Sequence, residues 1–148
     1  MRWIHDVSTD VDDPPQFIAL ADIRRACANG VDYSGLRADE HRRRYPDLQS
    51  TDIIRPTLSI FNAALAAAGK LGWAIAAAVE SEGRIEATAI TPLLRFKDDV
   101  VIRIRTNPAS ARLDVRSASR VGRSDLGANA KRLRIFFIEL NNLLKTDN

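Results

Sequence analysis

The sequence predicts an α+β fold, a two-layer sandwich in which one antiparallel sheet carries two main helices on one face. Three observations carry this. Four segments between residues 73 and 119 alternate apolar and polar side chains with the period of two of a half-buried strand. Two flanking stretches, 56–71 and 126–144, repeat their apolar residues at spacings of three and four, the period of an amphipathic helix. Turn-forming residues stand between the segments, with Ser81-Glu82-Gly83 marking the first hairpin and Asn107-Pro108 the last.

In chain order, residues 1–50 read as an irregular segment packed on the core, punctuated by Pro14-Pro15, Asn29-Gly30 and Ser34-Gly35. Within it Phe17, Ile18, Leu20 and Ile23 are expected to anchor a short helix. A second short helix is expected over 38–44, with Arg42, Arg43 and Arg44 on a solvated face. Residues 51–148 form the α+β core of a single domain. Residues 52–55 read as a short strand, and Pro56 suits the first turn of a helix running to Leu71, with Leu58, Phe61, Leu65 and Ala68 inward. Strands follow at 73–80, 84–91, 99–106 and 112–119. The last helix, 126–144, has Leu126, Ala130, Leu133, Phe137, Leu140 and Leu144 as its stripe, and the order is β-α-β-β-β-β-α.

Strand parity assigns the two faces of the sheet. Ile75, Ala77 and Val79, then Ile85, Ala87 and Ala89, then Val100, Ile102 and Ile104, then Leu113 and Val115 point inward. The other face carries Arg84, Glu86, Thr88, Arg103, Arg105, Arg112, Asp114 and Arg116. Pairing Arg105 with Arg112 sets Arg103 opposite Asp114, and a neighbouring register sets Glu86 beside Arg105. Such cross-strand pairs contribute about 0.2–1 kcal/mol each, and the face reads as a salt-laced solvent surface. Trp3 and Trp73 read as core anchors and Cys27 as a buried thiol.

Composition excludes several classes. The single cysteine rules out an intramolecular disulfide. The longest apolar stretch, 63–79, is interrupted by Gly69, Lys70 and Gly72, short of the ~20 apolar residues of a membrane span. Residues 1–20 carry four aspartates and lack the apolar run of a signal peptide, so the chain reads as cytoplasmic. The net charge of +3 hides an asymmetry: residues 1–83 hold 9 Lys/Arg against 12 Asp/Glu, and residues 84–148 hold 13 against 7. Either the acidic opening packs on the basic half, or that half meets an external anion; self-neutralisation within one small domain is the favoured reading.

Several runs carry a resemblance. They are the stretch from Arg116 to Arg132, Arg-Ser-Ala-Ser-Arg-Val-Gly-Arg-Ser-Asp-Leu-Gly-Ala-Asn-Ala-Lys-Arg, then Lys97-Asp98-Asp99-Val100-Val101, Tyr45-Pro46-Asp47, and the opening aspartates with Pro14-Pro15. Together they resemble a mostly bacterial domain-of-unknown-function family, DUF1499, over nearly the whole chain. The resemblance implies kinship and names no reaction. Members of that family often carry an amino-terminal anchor or hydrophobic extension, and a chain preceded by one would be membrane-associated or periplasmic.

The strand-to-helix junction is the main candidate site. Ser117 and Ser119 fall on inward parity, where Leu or Val is expected, and Ser124 or Asp125 is placed to cap the last helix. Asn129 borders the apolar stripe, and Arg116, Arg120, Arg123 and Arg132 surround the turn. A helix start among arginines can hold a phosphate or carboxylate. The competing reading places Asp125 in that anion position and closes the serines into a buried hydrogen-bond network. Lys97, Asp98 and Asp99 are secondary candidates, although consecutive strand residues point to opposite faces and Asp98 and Asp99 should not converge. Ion pairs to Arg103 or Arg116 are expected for them. Asp10, Asp12 and Asp13 lack the glycine and glutamate of a calcium loop and read as Asx turns, and His5, His41 and Cys27 have no zinc spacing.

The function these residues favour is a non-enzymatic binding module holding an anionic small molecule or acidic protein segment at the 116–132 edge, without a cofactor or metal. The alternative is a small hydrolase or isomerase acting on an anionic substrate through Asp98, Asp99 or Asp125. It needs a carboxylate not consumed by an ion pair. Nucleic acid is the weakest partner, because the outward face lacks the aromatics that stack bases. Oligomeric state is undetermined by the sequence.

Overall fold

The computed structural model describes residues 3–107 and 110–146. Its elements are β1 (Asp6–Ser8), α1 (Ala21–Arg25), α2 (Ala38–Arg44), β2 (Thr51–Ile53), α3 (Thr57–Lys70), β3 (Ala74–Val79), a 3-10 turn (Glu80–Glu82), β4 (Arg84–Ile90), β5 (Lys97–Thr106), β6 (Ala111–Ser119) and α4 (Ala128–Thr146). All strands join one antiparallel sheet of order β1-β6-β5-β4-β3, and β2 shares the free edge of β6 with β1. The fold is the expected α+β, and α3 and α4 pack together on one face. Pro108 of the expected last turn lies outside the described residues.

The helix face follows the parity reading. Ile85, Ala87, Val100, Ile102, Leu113 and Val115 are almost fully buried there. Ala63, Ala64, Ala67 and Ala68 of α3 are buried as well, and their small side chains let the helix lie close to the sheet and to α4. Trp73 stacks on Phe136 at 5.7 Å. The register also follows: Arg105 pairs with Arg112 and Arg103 with Asp114.

The expected stripe positions at element ends are corrected. Leu126 is exposed because α4 starts two residues later, and Phe136 rather than Phe137 fills the core against Trp73. Leu58 is half-exposed in the first turn of α3, with Ile60 buried in its place. Ile75 turns outward where a bulge between Ile75 and Ala77 breaks the alternation of edge strand β3. Ile18 and Ile23 also face out, leaving Phe17 and Leu20 as the anchors. Trp3 is 65% exposed and is no core anchor, and Cys27 is only partly buried.

The larger correction concerns the second face, which is a solvent surface only toward its Arg105 and Arg112 end. Residues 14–33 cover it as a third layer, and Glu86, Asp99, Asp114 and Arg116 are at most 2% exposed. Buried charge of this kind needs partners. Glu86 does not meet Arg105; it lies opposite Val101 and accepts the consecutive amides of Ile18, Ala19 and Leu20 at 2.8–3.1 Å, just ahead of α1. Arg84 completes its neutralisation. Arg116 forks onto Asp6 at 2.9 and 3.0 Å and donates to the carbonyls of Pro15 and Val31. Phe17 packs beneath both Arg24 and Arg116, whose guanidinium carbons lie 4.8 and 4.7 Å from its ring centre. Asp114 accepts the hydroxyls of Thr9 and Ser50 and faces Arg103. Further out, Asp10 and Asp13 meet Arg103, Asp13 meets Arg105, and Asp47 meets Arg134, so acidic residues of the opening segment pair with the basic half. Asp10 also accepts the amides of Asp12 and Asp13 in the expected Asx turn.

Candidate functional site: a cleft at the start of the last helix

Between Ser119 and Ala128 the chain must turn from sheet to helix. Gly122 and Gly127 adopt positive φ, and so does Leu126 at 52°, a costly conformation for leucine. Hydrogen bonds hold the turn. Asp125 accepts the amides of Gly127 (2.8 Å) and Asn129 (3.3 Å), capping α4, and Ser124 accepts the amide of Leu126. The opening segment ties the junction down: Ser119 and Asp125 donate their amides to the carbonyls of His5 and Ile4, and Asn29 donates to those of Ser119 and Gly122.

Beneath the turn Asn129 is fully buried. Its Oδ1 accepts from Ser117 Oγ (2.6 Å) and Arg132 Nη1 (3.0 Å), while its Nδ2 donates to Ser119 Oγ (2.9 Å) and Asp125 Oδ2 (2.8 Å). The inward serines therefore close a side-chain network over the sheet, and Asp125 stands in the capping position. Arg132 reaches into the same network. Its Nη1 touches Ser117 Oγ (3.2 Å) and lies 2.7 Å from Asp98 Oδ2, yet neither oxygen of that buried carboxylate has a hydrogen bond of good geometry. Its other donors, Nε and Nη2, have no hydrogen-bond partner among the described residues.

Asp99 points the other way, as parity requires. It is saturated by Arg24, by the Arg120 fork at 2.9 and 3.0 Å, and by Thr88 Oγ1. Those hydrogen bonds raise the Arg120 guanidinium further above its ordinary pKa, against the opposing effect of burial. The candidate residues thus separate into two sets. Asp98, Ser117, Ser119, Asp125, Asn129 and Arg132 gather on the helix side, with Ser124 and exposed Arg123 in the turn. Arg116, Arg120 and Asp99 belong to the covered face, and Lys97 is exposed at the start of β5. Arg103 and Arg116 are not the partners of Asp98 or Asp99; Arg132, Arg24 and Arg120 are.

A cleft of about 780 Å3 opens over the helix-side set, between the start of α4 and the 91–96 loop joining β4 to β5. Its floor holds Asp98, Ser119 and Arg132, and Lys131 stands at its margin. Its walls are apolar. Leu93 and Leu94 are 93% and 70% exposed, Leu126 is 90% exposed, and Ile90 and Phe96 are about half-exposed. The loop is built to this shape: Thr91 N–H donates to the Phe96 carbonyl (2.9 Å), Phe96 N–H to Thr91 Oγ1 (2.8 Å), and Arg95 takes a φ of 56°. Arg95, in the 91–96 loop, and Leu126, in the turn before α4, are the non-glycine residues with positive φ among the described residues. The sequence reading missed this loop. Its signal was three large apolar residues, Leu93, Leu94 and Phe96, in a connection that no strand parity buries.

Among the described residues no group of three or more His, Cys, Asp or Glu is placed to hold a metal, and no helix is long and apolar enough to cross a membrane. The fold and cleft define a class: an antiparallel α+β sandwich, capped by its own opening segment, with a polar-floored apolar cleft at one end of the sheet. The chain belongs to the family described as Protein of unknown function (DUF1499), whose profile matches residues 6–140. No curated protein matches it.

Proposed function

We propose that this protein is a non-enzymatic binding module that holds an anionic ligand in the cleft at the start of α4. The observation that carries the reading is the state of Arg132. One end of its guanidinium is fixed by Ser117, Asn129 and Asp98, and the Nε and Nη2 donors remain for a ligand in a cleft that the residue lines. A planar fork suits a carboxylate or phosphate. Ser119 and Lys131 stand beside it, Ser124 and Arg123 lie in the adjoining turn, and Asn129 and Asp125 keep α4 in register beneath it. Arg116, Arg120 and Asp99 support the site from behind the sheet, through internal ion pairs. The hydrolase or isomerase reading finds no support in its carboxylates: Asp99 meets two arginines, Asp98 meets Arg132, and Asp125 caps α4.

The test is thermal stability against a panel of carboxylates and phosphates, both compact and carrying hydrocarbon chains. A ligand at about 100 times its Kd stabilises the folded state by ~2.7 kcal/mol, which moves the Tm by several degrees. The shift should vanish in Arg132→Gln combined with Asp98→Asn, a pair that avoids leaving Asp98 buried and uncompensated. A panel with no effect, or an undiminished shift in that double variant, removes the reading.

A further inference from the structure

Within that anion-binding reading, on which this step rests, the geometry points to an amphiphile: a single-chain monocarboxylate, its head on Arg132 and its hydrocarbon tail along Ile90, Leu93, Leu94, Phe96 and Leu126. Two features on different elements require it. The first is chemical contrast within one cavity. The polar groups converge at the floor, while the loop and the turn before α4 present large apolar side chains that are about half or more exposed. Contiguous exposed apolar surface of this kind marks a binding surface, and the volume of about 780 Å3 lies within the ~300–1,000 Å3 of small-molecule sites. A compact anion such as phosphate would fill the floor and leave the walls in water.

The second feature fixes the sign of the head group. Asp98 is an internal carboxylate already touching Arg132 Nη1, so a second carboxylate on Nε and Nη2 completes the guanidinium as a bidentate pair. Lys131 at the margin adds a cation, whereas Asp125 spends its oxygens on the amides of Gly127 and Asn129 and the Asn129 side chain. A cationic head would have to approach past Arg132 and Lys131 to reach Asp98. That path is repulsive, and neither Asp98 oxygen is open to solvent.

The experiment is calorimetric titration of the full chain with dodecanoate, octanoate, acetate, dodecanol and dodecyltrimethylammonium. Dodecanoate is expected to bind in a one-to-one complex, with affinity falling about two- to fourfold for each methylene removed. Asp98→Asn should tighten dodecanoate, because it removes the competing internal carboxylate, and would weaken a cationic amphiphile instead. Leu93→Ser with Leu94→Ser, both on the exposed loop and not needed for folding, should cost dodecanoate at least tenfold and leave acetate unaffected. If acetate or phosphate binds through Arg132 as tightly as dodecanoate, the anion site stands and the amphiphile is overturned. If no anion binds, both readings fail. Dodecanol binding as well as dodecanoate would make the charge irrelevant. Self-association in sedimentation that the double serine variant abolishes, without dodecanoate binding, would assign the patch to a second copy. Recovery of the chain on neutral phosphatidylcholine vesicles without dodecanoate binding would assign it to a bilayer surface. Each of those three results overturns the proposal.

Discussion

Asp6 and Arg116 show what a single residue does here. Both are buried, joined by two hydrogen bonds, and 110 positions apart in the chain. Removing one partner leaves the other charged in a site closed to water, at a cost of about 3–5 kcal/mol. Asp6→Asn should therefore lower the Tm by roughly 10 °C. Arg116→Lys keeps the charge but loses the fork and its packing on Phe17, so most of that loss should recur. A Tm unchanged in both variants would show that the pair adds nothing. Exposed pairs behave differently. The hydrogen bonds of Arg134 hold the Asp47 carboxyl below its ordinary value of 3.8, more than slight burial raises it. A depressed folded pKa gives stability that is complete above 3.8 and lost as pH falls through the folded value. Because Asp47 is half-exposed, solvent screening keeps the effect small. Asp47→Asn should flatten the acid limb of a Tm-against-pH curve only slightly, and leave the neutral plateau nearly unchanged. Tyr45 acts at the other extreme. Burial raises its phenol above 10, so its contribution is complete below that pH and fades as pH rises through the folded value.

At the scale of elements, α4 depends on the turn that launches it. Asp125 accepts the amides of Gly127 and Asn129 and the Asn129 side chain, so Asp125→Ala should cost about 1–2 kcal/mol in chemical denaturation. It should also loosen the cleft floor, since Asn129 orients Ser117, Ser119 and Arg132. The β3–β4 hairpin has a tighter constraint. Gly83 sits at φ 59°, and a Cβ there would collide with the Ile104 carbonyl. Because Gly83 also accepts the Ile104 amide at 2.8 Å, Gly83→Ala must break a backbone contact rather than move a flexible side chain. It should destabilise by more than ~1 kcal/mol. A denaturation midpoint equal to the parent's would show that the turn yields freely.

The whole molecule is three layers, and the third is the segment 14–33. Without residues 3–50, Glu86 loses its amide nest, Asp99 loses Arg24, and Arg116 loses Asp6. Arg116 would then have no carboxylate, Glu86 and Asp99 would keep only Arg84 and Arg120 as ion-pair partners, and Val7 would leave the core. A chain of residues 51–148 should accordingly lack a cooperative thermal transition and bind hydrophobic dyes, although it contains both main helices and the four longest strands. A sharp two-state melt for that fragment would refute the dependence.

By itself the sequence determined the features that consecutive residues decide. Strand alternation, helical periodicity and the hairpin register that sets Arg103 against Asp114 are consequences of backbone geometry within short windows, and so is the parting of Asp98 from Asp99 to opposite faces. The polar face of the sheet was legible as charged but not as buried, since alternation says which side a residue faces and not what lies over it. A clue was present: that face holds arginines, carboxylates, Thr88, Val101 and Ala118, and arginine suits buried ion pairs better than lysine. Long-range contacts alone set residues 14–33 over it, pair β1 with β6, and bring the 91–96 loop to the start of α4 to form a cleft. Each of these is a contact between segments far apart in the chain, stabilised by burial and charge pairing that no local period encodes.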